Sequence, residues 1–352
     1  MNRIFRLAVL PVTALSLLLA APPSGPNTEC IIAGRVLNEL TGEPLENANA
    51  FLAGTTIGTS SGPRGEFVLR SILTGGQDLV ISLVGYERRV VRLQLKAGDS
   101  TFVTMALIPQ VLQAEQVQVE ASEPKEWKRN VALFEKVLRG EGGFADQVRL
   151  LNPYVVDLKM RGTTLVGTTD SLLRIENPGL GYMMGVVIRR FEWDVRHDGG
   201  VWAVYVHFRE IPGQSEQQHE EWLKHRRAAY DGSLRHFLWA LARSRLSEQG
   251  FEMRTGKNIS YSRGWKEINE DSLHLDRVPG TPLLTWTFPE WIRVDPGFSF
   301  SSPSYVHLVH EHALFDSSGV LVTPLALELG GTWARERIGN MLPTDYFPEP
   351  IP

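Results

Sequence analysis

The chain has 352 residues, 43% hydrophobic and 22% charged, the balance of a folded protein long enough for two or three cores. Its formal net charge of −4 leaves no overall positive field, which excludes recruitment of nucleic acid or anionic lipid by global charge. A single cysteine, Cys30, excludes an internal disulfide and a thiolate metal cluster.

Residues 1–21 read as a secretory signal. Arg3 and Arg6 supply the positive start and Leu7–Ala20 the apolar run, shorter than the ~20 residues of a spanning helix. The expectation is an exported protein that is periplasmic, outer-membrane-associated or extracellular. Thr28 and Glu29 precede Cys30, and the acidic residue departs from a lipobox, so lipidation is not expected. Residues 22–30 read as a disordered lead.

From Ile31 to Leu107 the apolar residues alternate in short runs separated by glycine and proline turns, the pattern of a β-sandwich. Ile32, Gly34 and Val36 alternate with Ala33, Arg35 and Leu37, and Thr41-Gly42-Glu43-Pro44 forms a turn. Phe67, Leu69, Leu79, Ile81, Leu83, Val90 and the Thr101–Leu107 run are the expected core. Gly34, Val36, Thr41, Gly42, Pro44, Leu45 and Ala48, then Gly58, Thr59, Gly65 and Phe67, then Gly85-Tyr86-Glu87 follow one family signature. On these residues the segment resembles the carboxypeptidase-regulatory-like domain, a transthyretin-type sandwich of envelope proteins in Bacteroidetes-like bacteria. Gly62 and Arg64 stand where the family carries two acids, so cation binding at that turn is not carried over. The resemblance implies a seven-stranded-type fold and a spacer or adhesive module rather than a catalyst.

Residues 108–122 read as a polar linker leading to a second domain over 123–346. Trp127, Val131, Phe134 and Leu138 fall on one helical stripe beginning near Pro124. Residues 152–210 return to period two. Tyr154–Met160 with Thr163–Thr168 predicts one hairpin, and Tyr182–Asp194 with Val201–Glu210 predicts a longer one. Gln217–Gln249 predicts helices broken at Gly232, with Ser233 capping the second and Gly250 ending it. Leu283–Phe288, Trp291–Val294, Tyr305–Phe315 and Val320–Glu328 predict strands, and residues 347–352 a tail. The expected class is mostly β with α insertions: an N-terminal β-sandwich, then an antiparallel-sheet α+β domain. Residues 226–237, the Ile175–Tyr182 turn, and Trp333, Arg337, Leu342, Pro343 and Tyr346 resemble a signature of secreted proteins that also begin with such a sandwich. That resemblance implies no activity.

Three places could carry chemistry. His207 and Glu210 have the H-x-x-E spacing of a zinc peptidase, but residues three apart on a strand face opposite ways. His310 and His312 share a face if Tyr305–Phe315 is one strand; a metal there needs a further ligand such as His274. The cluster Arg226, Arg227, Tyr230, Ser233, Arg235 and His236 could bind an anion where unpaired N–H groups converge at a helix start. Its plainer reading is internal bracing. Trp286, Trp291 and Trp333 offer platforms for a glycan. No phosphate loop, nucleophile elbow or dinucleotide fingerprint is present.

The reading that follows is a non-enzymatic envelope protein without a cofactor, binding a partner protein or glycan, with peripheral association with the outer membrane and no nucleic-acid partner. The alternative is a metal-dependent, peptidase-like hydrolase built on the histidine-rich strand.

Overall fold

The computed structural model describes residues 29–71, 73–110, 125–169, 171–259, 264–297, 302–323 and 325–348. The signal assigned to residues 1–21 and most of the linker lie outside them.

The first seven strands are β1 (Cys30–Asn38), β2 (Asn49–Leu52), β3 (Gly58–Ser60), β4 (Glu66–Ser71), β5 (Gly75–Ser82), β6 (Arg89–Leu95) and β7 (Ser100–Leu107). They form two packed sheets in the orders β4-β1-β7 and β3-β2-β5-β6. Ile32, Leu52, Leu79 and Ile81 are completely buried, and Phe67 and Leu69 nearly so. The alternation runs differently on β6 than expected: Val90 is 38% exposed, while Leu93 and Leu95 enter the core. Phe102 faces outward, so on β7 only Met105 and Leu107 are buried. Gly65 sits at φ +72 with the Val36 carbonyl where its Cβ would be, the close approach that only glycine permits.

Helix α1 (Lys125–Arg139) buries Val131, Phe134 and Leu138, the predicted stripe. It packs on a six-stranded sheet made of β8 (Arg149–Leu150), β9 (Val156–Arg161), β10 (Thr164–Thr169), β11 (Leu173–Asn177), β12 (Tyr182–Asp194) and β13 (Gly199–Glu210). β11 and β10 pair with β12 over different stretches, and β13 pairs with it along nearly its whole length. Both predicted hairpins and the antiparallel pairing are present, but the order is not that of the expected meander, because β10 and β11 both pair with β12 instead of with each other. A first core fills between α1 and this sheet around Phe134, Ile175, Tyr182 and Phe191.

Two helices follow. Ser215 caps α2 (Glu216–Tyr230) and Ser233 caps α3 (Leu234–Leu241). α3 stops well short of Gly250: Ser244 takes a left-handed φ of +53, and Leu246 turns fully into the core. A second core surrounds Phe237 and Trp286. It lies against a five-stranded sheet led by Phe251–Gly256 and a three-stranded one centred on Leu283–Thr287.

The predicted strand Tyr305–Phe315 is two strands. Ser304–Leu308 belongs to the five-stranded sheet and Ala313–Asp316 to the three-stranded one. His310 and His312 fall in the exposed bend between them, so they share no strand face.

Candidate functional site

The sandwich is joined to the second region by backbone. Gly54 N–H donates to the Val206 carbonyl (2.6 Å), Phe208 N–H to Thr55 (2.9 Å), and Thr344 N–H to Gly54 (2.6 Å). Gly54 holds φ +78 to present both its groups. Thr56 N–H reaches both carboxylate oxygens of Asp345 at 3.1 and 3.0 Å, and its hydroxyl bonds the same carboxylate.

His207 is sealed into this junction. Its ring stacks on Phe51 with centroids 5.2 Å apart, and its Nε2 has no hydrogen-bond partner among the described residues. Burial, helped by the Arg209 charge, holds its pKa below the ordinary value. Glu210, three residues on, pairs instead with Arg226 at 2.6 Å. The two do not converge, as strand geometry requires.

The six clustered residues are braced within the protein, partly by one another: the Tyr230 ring lies 5.0 Å from that of His236 and 5.8 Å from the Arg235 guanidinium. Arg226, 2% exposed, donates to Glu210 and to the Leu180 and Gly181 carbonyls, over the Tyr182 ring at 4.0 Å. Arg227 bonds Asp231. Arg235 donates to the carbonyls of Pro343 (2.7 Å), Thr344 (2.7 Å), Tyr346 (2.8 Å) and Ser318 (3.4 Å). Ser233 Oγ accepts the His236 N–H. His236 Nδ1 accepts the Gly232 N–H, which leaves Nε2–H to donate to Gln249 Oε1 at 3.0 Å. The start of α3 is therefore partly capped from within, and Arg226 and Arg235 are engaged with carbonyls on different segments.

Arg227, Tyr230 and His236 do share a place. They line a cleft of about 600 Å³. Sandwich residues such as Asp78 and Arg92, the β12–β13 residues Arg189 and Tyr205, and Trp239, Arg243 and Asp316 complete its walls. Sequence reasoning passed over all seven of these. The one signal was Arg189-Arg190 interrupting an otherwise apolar strand.

The metal candidates stay apart: among the described residues no three His, Cys, Asp or Glu side chains group as metal ligands. His307 stacks on Trp291 at 5.0 Å. Trp286 and Trp333 are core residues, 0% and 5% exposed, and so are not platforms; Trp333 Nε1 donates to the Gly232 carbonyl.

A regulatory-type sandwich carried on a second, β-rich body is the class these observations define. Residues 32–119 match the family model of the CarboxypepD_reg-like domain. No curated protein matches the chain. Among solved structures, a DUF3823 family protein from Bacteroides ovatus is 9% identical, with 82% of this chain and 99% of that one covered at a TM-score of 0.20. A Bacteroides fragilis protein described as membrane-associated is 12% identical over 53% of this chain and 84% of that one, at 0.19. A cohesin–X-dockerin complex of Acetivibrio cellulolyticus is 13% identical over 22% of this chain, at 0.20. The alignment spans 56% of that cohesin–X-dockerin chain and 55% of a second such structure. At these TM-scores the likenesses carry no argument. No helix among the described residues is long and apolar enough to cross a membrane.

Proposed function

We propose that this is a non-enzymatic, exported protein of the cell envelope, periplasmic or at the outer membrane, that binds a partner protein or glycan. On this reading residues 31–107 are the sandwich module, and 123–346 form one α+β domain that carries the binding face. The cleft where the sandwich meets the second region is the observation that supports it. Guanidinium groups and aromatic rings line it together, the residue types that recognise polar ligands by stacking and charge-assisted bonds. The signal-like residues 1–21 and the family of the sandwich support export.

The test is a glycan array probed with the purified full chain, alongside its Trp239→Ala variant checked for folding by circular dichroism. Retention of defined glycans by the wild type and their loss in the variant are expected. Turnover of a retained glycan or of a peptide substrate would refute the non-enzymatic part of the reading.

A further inference from the structure

The charge of the cleft is uneven, and the sheet that forms one wall explains why. β12 changes register against β13 between Ile188 and Arg190, leaving Arg189 as the extra residue of a bulge. A bulge re-aims a side chain that a regular pleat would send elsewhere. Arg189 is exposed in the cleft with its guanidinium 4.7 Å over the Tyr205 ring. Among the described residues it forms no ion pair. Asp78, which lines the same part of the cleft, is already paired with Arg92 at 2.9 Å.

Another part of the cleft wall repeats the arrangement. The Arg243 guanidinium lies 4.6 Å over the Trp239 ring and donates to the neutral carbonyls of Trp239 and Ser317. The Asp316 carboxylate is engaged with Ser318 and Val320. Each part therefore offers an aromatic ring with a cation over it, and the acids nearby are committed.

We propose that the cleft takes a saccharide bearing carboxylates, a short uronic-acid oligomer, with Arg189 as the carboxylate partner and Tyr205 and Trp239 as stacking surfaces. The inference rests on the binding reading above and narrows its ligand. A volume of about 600 Å³ lies within the small-ligand range and holds about two or three sugar rings. A peptide bound by strand addition would need a free edge to pair with. At Val206–Phe208 the edge of β13 is already taken by Gly54 and Thr55. A pyranuronate needs no edge: its C–H face packs on a ring, and its carboxylate meets the planar guanidinium fork.

Calorimetric titration of the full chain with trigalacturonate, with its fully methyl-esterified form and with tri-glutamate tests this. Trigalacturonate should bind, and the ester should bind about tenfold more weakly or worse. Arg189→Ala, an exposed position, should remove the same factor from the acid and much less from the ester, whose carbonyl only accepts a neutral bond. Tighter binding of tri-glutamate than of trigalacturonate overturns the saccharide assignment. Equal binding of acid and ester, lost in Trp239→Ala, overturns acid recognition and leaves glycan binding standing. No binding by either sugar overturns the inference, and the glycan array then decides separately whether the broader reading falls with it.

Discussion

Thr56 and Asp345, 289 residues apart in the chain, meet at the junction, where one carboxylate accepts both the backbone N–H and the hydroxyl of the threonine. The segment that brings Asp345 there is itself held by Arg235, which donates to three carbonyls between Pro343 and Tyr346. The sandwich, the end of the chain and α3 are thus tied by one short strap.

Asp345→Ala removes the acceptor and leaves the Thr56 N–H to water. A loss of about 1–2 kcal/mol is expected. Chemical denaturation should show the lower midpoint, and limited proteolysis should cut sooner between the sandwich and the second region.

Arg235→Lys should fail to rescue Arg235→Ala. A guanidinium reaches several carbonyls with a planar fork, whereas an ammonium is one compact charge on a flexible stem. Each variant leaves partly buried carbonyls without donors, so both should lose about 2–3 kcal/mol in urea unfolding. Equal stability of the lysine variant and the wild type would contradict this role.

His207 makes the junction sensitive to acid. Its folded pKa lies below the 6.5 of an ordinary histidine because burial, and then the Arg209 charge, disfavour the cation. Below about pH 6.5 the unfolded chain binds this proton more readily than the folded one. The stability contributed by neutral His207 is therefore complete above that pH and falls as pH drops towards the folded pKa. His207→Phe, which keeps the stack on Phe51, should flatten this part of the profile when unfolding is followed from pH 7.5 to pH 5.

Gly58 lies under the same ring, so close that an added Cβ would fall on the imidazole edge. Gly58→Ala should cost about 1–3 kcal/mol by overpacking. Adding His207→Ala to it should recover part of that loss, a coupling that a double-mutant cycle measures directly.

Much of the architecture could be read from local pattern. The period-two runs of the sandwich and of the two long hairpins, the stripe on α1 and the Ser233 cap depend on neighbours a few residues away, and the structure contains them. The local readings that went astray each lost to a long-range contact. Val90 fits the alternation of a core strand yet faces solvent, while Leu93 and Leu95 fill the core. His310 and His312 lie in a run that reads as one strand, but its two halves join different sheets. Trp286 and Trp333 suited a platform until the second core closed over them.

By itself the sequence determined the sandwich, the two antiparallel hairpins and the neighbourhood of Tyr230, because alternation, turn residues and capping act over short distances. Only the tertiary structure decided what that neighbourhood does. It spent Arg226 and Arg235 on backbone carbonyls, and it placed Arg227, Tyr230 and His236 beside Arg189, Tyr205 and Trp239 in one cleft. A bulge on β12 and a strap more than a hundred residues from α3 make that cleft. Neither leaves a periodic trace in the chain, because each arises from how distant segments pack.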